Sequence, residues 1–126
     1  MSMLQEKGFY RLISKVETSE GKYLITIALN KEHDIFTGHF PGNPVTPGAC
    51  MMQIVKELSE DITGSKLRMI HASNVKFMAL INPLTHPQLE LELDVSRDSN
   101  GNVKVKNTAK FDETVALKMN NTFAQV

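Results

Sequence analysis

Charge of one sign is missing from this chain. Its 126 residues carry 14 Lys and Arg against 14 Asp and Glu, spread along the sequence, so there is no electrostatic footprint for nucleic acid or an anionic membrane surface. Long apolar runs are missing too. No stretch approaches the roughly 18 consecutive apolar residues of a spanning helix, and Glu6 and Lys7 fall where a secretory leader would need its apolar run. The single cysteine, Cys50, cannot close an internal disulfide, which suits a reducing compartment. A soluble, cytoplasmic protein that binds neither nucleic acid nor membrane is therefore expected. Among the histidines His33, His39, His71 and His86, no pair stands at a metal-binding spacing such as His-x-x-x-His on a helix, and neither a metal nor another cofactor is expected. Repeats, low-complexity tracts and linkers are also absent. At 41% hydrophobic composition, residues 1–126 fit one domain with one core.

The pattern that is present reads as strand, strand, loop, helix and then four strands. Residues 9–16 and 22–30 are rich in β-formers and flank the turn signal Ser19-Glu20-Gly21. Residues 49–60 set Cys50, Met51, Ile54, Val55 and Leu58 at helical spacing, ending before Thr63-Gly64. This is the one convincing helix. Residues 67–77 read as a strand, and residues 88–96 more clearly so, because Leu89, Leu91, Leu93 and Val95 alternate with polar residues. Asp98-Ser99-Asn100-Gly101 turns into a strand over 103–111, and Asp112-Glu113 turns into another over 114–123. The expectation is an α+β fold, an antiparallel sheet with one face covered by the helix.

Residues 38–48 read Gly-His-Phe-Pro-Gly-Asn-Pro-Val-Thr-Pro-Gly. Pro41, Pro44 and Pro47 each fix φ and push the preceding residue toward extended geometry, which preorganises the loop that holds His39. Thr46 is a good N-cap and Pro47 suits the first helical position. The first free helical donors are then the N–H groups of Gly48, Ala49 and Cys50, aimed with the positive end of the helix dipole at whatever lies in front. An oxyanion or a polarised carbonyl would be stabilised there, and Gly48, lacking Cβ, lets a ligand approach its backbone.

This run resembles the active-site segment of the 3-hydroxyacyl-acyl-carrier-protein dehydratases of bacterial fatty-acid synthesis, which have the hotdog fold, an antiparallel sheet wrapped around one long central helix. Weaker similarity runs from Tyr23 through Asn30 to Phe36 and again at Val75-Lys76-Phe77 and Pro83. The N-terminal stretch that precedes the first strand in many members is missing or very short here, so the usual acyl-chain gating elements are not carried over. The resemblance implies a dimer, or a larger or paired hotdog assembly, acting on a 3-hydroxyacyl thioester of acyl carrier protein or coenzyme A. His39 would take the proton beside the thioester carbonyl, the Val45 carbonyl would hold the imidazole tautomer, and the Gly48 N–H would stabilise the enolate-like oxygen. Phe40 and Ala49 complete the substrate-binding set. In the family, a carboxylate on the central helix works with the histidine across the dimer interface. Here that position is Gln53, an amide that cannot exchange a proton at neutral pH, and Glu57 stands one turn on, where many members have glutamine. The leaving hydroxyl would then be protonated by His39 itself, or by Glu57 through water, with Gln53 only orienting it. Activity below that of a standard member follows.

Blander readings stand beside these. His39 could merely brace its loop. Gln53, Glu57, Glu60 and Asp61 form a polar stripe, and such stripes face solvent; that reading of Glu57 takes precedence over a displaced acid. Cys50 on the first helical turn could pair with His39 as a nucleophile, although small cysteines on apolar faces are usually core. Met51 and Met52 could line an acyl channel or simply pack. The rival functions are a catalytically impaired acyl-binding or partner subunit, and a hotdog thioesterase.

Overall fold

The computed structural model describes residues 3–40 and 42–126; Pro41, one of the three prolines of the preorganised loop, lies outside the described residues. The elements run α1 (Met3–Glu6), β1 (Tyr10–Ser19), β2 (Lys22–Leu29), α2 (Asp34–Gly38), α3 (Gly48–Thr63), β3 (Leu67–Phe77), β4 (Gln88–Arg97), β5 (Val103–Phe111) and β6 (Thr114–Gln125). All six strands join one sheet in the order β1-β2-β4-β5-β6-β3, and every pairing is antiparallel.

One face of this sheet is built by alternation. Ile25 and Ile27 of β2, Leu89, Leu91 and Leu93 of β4, Val103, Val105 and Ala109 of β5, and Leu117, Met119 and Phe123 of β6 are all essentially without exposure. Their registers bring them side by side, Ile25 opposite Leu91, Leu91 opposite Ala109, and Ala109 opposite Leu117. Against them α3 buries Met51, Ile54, Val55 and Leu58. Apolar burial of this kind contributes roughly 1.5–3 kcal/mol per large side chain, so the helix is held by its inward face. α3 has 16 residues, about 24 Å of helix, and ends on Gly64 in the left-handed region.

Three features depart from the expected layout. α3 begins at Gly48 with Pro47 as a cap that makes no side-chain hydrogen bond. Thr46 is not the cap: it is buried, and its N–H and hydroxyl both donate to the Ile81 carbonyl, at 2.8 and 3.0 Å, tying the loop to the segment after β3. α1 and α2 were not expected, because helices of four and five residues carry too little periodicity to read and are not stable by propensity. α2 is fixed by the His33 Nδ1, which accepts the Ile35 N–H at 3.1 Å, and by Phe36 stacked on Phe9.

β3 forms one edge of the sheet and leaves Met69, Ile70 and Phe77 exposed, followed by exposed Met78 and Leu80. An apolar unpaired edge invites a further strand. None of the helices is long and apolar enough to cross a membrane, among the described residues.

The β1–β2 hairpin gives a first test. Gly21 has φ +76°, and a Cβ there would lie 2.7 Å from the Val95 carbonyl oxygen, which is backbone and cannot swing aside. Gly21→Ala should lower the unfolding free energy by about 1–3 kcal/mol in urea denaturation; a loss within error would contradict this packing.

Candidate active site

His39 is placed by both of its neighbours in the chain. It is the C-cap of α2, its N–H donating to the Phe36 carbonyl, and the loop returns so that the Val45 N–H donates to the His39 carbonyl at 2.8 Å. The ring Nδ1 lies 3.1 Å from the Val45 carbonyl oxygen. A carbonyl can only accept, so Nδ1 carries the proton and Nε2 is left with its lone pair outward. Phe40, about half exposed, stacks on the imidazole with ring centroids 4.3 Å apart, and Asn43 and Phe40 exchange backbone hydrogen bonds across the tip of the loop. The ring is thus held, and it is only partly buried.

The start of α3, three residues beyond Val45, offers fewer donors than expected. The Cys50 N–H is taken by the Pro47 carbonyl at 3.0 Å, which leaves the N–H groups of Gly48 and Ala49 without partners among the described residues. The missing Cβ of Gly48 serves packing: a Cβ there would lie 2.7 Å from the tip of the Phe77 ring. The donors therefore sit by the Phe77 end of β3. Burial pushes the Cys50 thiol above its ordinary value, which works against a thiolate nucleophile. Met51 is core and Met52 half-buried. His33 caps α2, His71 is exposed on β3, and His86 stacks on Phe111 near Asp112.

Gln53 and Glu57 lie elsewhere. Gln53 lines a groove of about 520 Å³ with Lys56, Glu60, Lys66, Arg68 and Met69, at the Leu67 end of β3. It makes no hydrogen bond to His39 within the chain; its Nε2 donates to Glu57 Oε2 at 2.8 Å. Glu57 does not face solvent as the stripe reading expects. It is 1% exposed, and its carboxylate also accepts the Leu4 N–H at 2.9 Å, the Gln5 N–H at 3.1 Å and the Tyr10 hydroxyl at 3.1 Å. Four donors fill its acceptor positions, so the carboxylate clamps α1 onto α3 and has nothing to spare for a substrate. Of the stripe only Asp61 is exposed, paired with Lys15 at 2.8 Å. Apart from Gln53, the partners of Glu57 come from residues 47 to 53 positions away, which is why no local pattern announced them.

An ApeI-like family model, described as ApeI dehydratase, matches residues 15–118. Two curated 3-hydroxyacyl-[acyl-carrier-protein] dehydratases FabZ, from Lactobacillus helveticus and Levilactobacillus brevis, are 30% and 31% identical over 104 residues, 77% of this chain and 68% of theirs. FabZ of Bacillus cereus is 29% identical over 91% of this chain and 85% of its own. Among solved structures, the dehydratase heterocomplex ApeI:P of Xenorhabdus doucetiae superposes with a TM-score of 0.72 at 17% identity, covering 90% of this chain and 96% of that one. A hypothetical thioesterase with coenzyme A from Streptococcus pneumoniae gives 0.64 at 11%, over 93% and 85%. At such identities these matches show the hotdog fold alone.

The clamp yields a second test. Burial, and then the charge and hydrogen bond of Glu57, push the Tyr10 phenol well above its ordinary value of 10.0. The folded state therefore keeps that proton when the unfolded chain has lost it. Stability contributed by Tyr10 is complete below pH 10 and is lost as pH rises beyond it. Tyr10→Phe should flatten the alkaline fall in stability relative to the parent, and Glu57→Ala, which strands several donors, should cost about 2–4 kcal/mol at neutral pH. An unchanged alkaline profile in Tyr10→Phe would contradict the burial of this pair.

Proposed function

The chain belongs to the ApeI-like dehydratase family, and from that premise we propose that it eliminates water from a 3-hydroxyacyl thioester at a site shared by two copies. The observation that carries this reading is the His39–Val45 hydrogen bond, which commits Nδ1 and leaves Nε2 as the base; Val45 stands three residues before the helix start, where the Gly48 and Ala49 donors are unpartnered among the described residues. Nε2 takes the proton next to the thioester carbonyl, and those N–H groups hold the oxygen that gains charge. The imidazolium so formed returns its proton to the leaving hydroxyl, since Glu57 is fully engaged. Here Glu57 is reassigned from displaced acid to structural brace.

The shared site follows from the edge strand. The Gly48 donors lie at the Phe77 end of β3 and Gln53 at the Leu67 end. A two-fold axis across β3 runs the strand antiparallel to itself, bringing the Phe77 end of one copy alongside the Leu67 end of the other. His39 of one copy then faces Gln53 of its partner, and the exposed Met69, Ile70 and Phe77 are covered. Lys56, Lys66 and Arg68 around the Gln53 groove suit a phosphate-bearing carrier. Relatives that are 3-hydroxyacyl-[acyl-carrier-protein] dehydratases favour acyl carrier protein over coenzyme A, and a cytoplasmic setting fits the free Cys50. A second reading, favoured by the missing carboxyl at Gln53 and by the ApeI:P heterocomplex, pairs this chain with a related subunit that supplies the acid.

Purified protein should interconvert a 3-hydroxyacyl and a 2-enoyl thioester slowly. His39→Ala should abolish turnover with the melting temperature and oligomeric state nearly unchanged; unchanged turnover would remove His39 from the mechanism. Gln53→Glu restores a titratable group at the position where the family keeps one. A general acid is worth about 10²–10⁴-fold, so a gain of at least roughly tenfold is expected. No gain in a folded, dimeric variant would favour the binding-subunit reading.

A further inference from the structure

The Gln53 amide is not free to choose which atom it shows. Residues four apart share a helix face, and Glu57 Oε2 meets Gln53 Nε2 at 2.8 Å. Glu57 already receives two backbone N–H groups and the Tyr10 hydroxyl, so its oxygens act as acceptors and only the nitrogen of the Gln53 amide fits against them. The Gln53 Oε1 is thereby turned the other way. It has no hydrogen-bond partner among the described residues, and the side chain lines the groove with Glu60 and Met69.

We infer that Gln53 and Glu57 form a specificity pair: Glu57 is a positioning residue that locks the Gln53 carbonyl outward, so that the site selects an acyl group whose third carbon bears a hydrogen-bond donor, a hydroxyl, over one bearing only an acceptor, a ketone. This rests on the thioester reading above, because it needs Gln53 to face the substrate. A hydroxyl donates to the amide oxygen, whereas a 3-oxo group sets two lone-pair-bearing oxygens against each other. A protonated carboxyl at the same position could donate to either oxygen and would not discriminate in this way. The exchange of amide and acid along α3 thus removes a proton source and adds a filter.

The test measures binding rather than turnover, by titration calorimetry with pantetheine amides, which replace the reactive thioester, of 3-hydroxybutanoic and 3-hydroxyoctanoic acids and of the matching 3-oxo acids. The parent protein should bind the hydroxy compound about tenfold more tightly at whichever chain length binds. Gln53→Met keeps the Glu57 clamp on α1 but removes the acceptor, and should bring the ratio close to one. Glu57→Ala removes the acceptor that fixes the Gln53 amide, lets that amide turn either way, and should shrink the preference toward one; a loss of packing alone would weaken both ligands equally. Equal affinities in the parent, or a preference that survives Gln53→Met, would overturn the inference while leaving the dehydratase reading in place. Failure of both classes of amide to bind would overturn the two together.

Discussion

A charge that is taken out of water must be met by donors, and the Glu57 carboxylate sets much of this structure by that requirement. It lies beneath α1 with 1% exposure and draws in two backbone N–H groups, a tyrosine hydroxyl and the Gln53 amide. Removing any one partner leaves the others to carry a buried charge, which is costly in a medium of low polarity. α1 is too short to be stable alone, and it folds where the carboxylate receives its first N–H groups. Tyr10 is drawn inward at the start of β1, the strand at the other edge of the sheet from β3. The same carboxylate fixes how Gln53 is presented to the groove.

That constraint changes the meaning of the amide and acid being exchanged along α3. Read as chemistry alone, Glu57 is an acid moved one turn from its station. Its surroundings make it part of the scaffold, and Gln53 the group that meets solvent. In the proposed mechanism the work of proton transfer then falls to His39, whose Nδ1 is committed to Val45 and whose Nε2 is open. The placement of Gly48 against Phe77 links the donor end of α3 to the far end of the edge strand, so the geometry of β3 governs which groups can meet across a two-fold axis.

Alternation and short turns made the six strands legible, since Leu89, Leu91 and Leu93 of β4 can only bury one face of a pleated chain. α3 was legible from its spacing, to within a few residues at each end. The His39 loop announced itself through prolines and glycines that restrict the backbone, and the family resemblance supplied the Val45 contact that local chemistry could not. Features set by distant partners stayed hidden. Thr46 has the chemistry of a cap, yet Ile81, 35 residues on, takes both its donors. Glu57 sits in a stripe that ought to be wet and is dry because α1 folds over it. Cys50 stands at a helix start that should favour a thiolate, but its partial burial pushes the thiol up instead. In each case a tertiary contact overrode a sound local rule.

The sharing of the site between two copies is most directly tested by mixing the parent protein with a double variant carrying His39→Ala and Gln53→Glu, after subunit exchange. The variant alone has no base and should be inactive. In a mixed dimer, one site joins the parent's His39 to the acid introduced at position 53 of the other copy, and turnover of a 3-hydroxyacyl thioester should exceed that of the same amount of parent protein unmixed. Activity that never rises above the parent's own contribution would mean that the two positions do not meet across an interface.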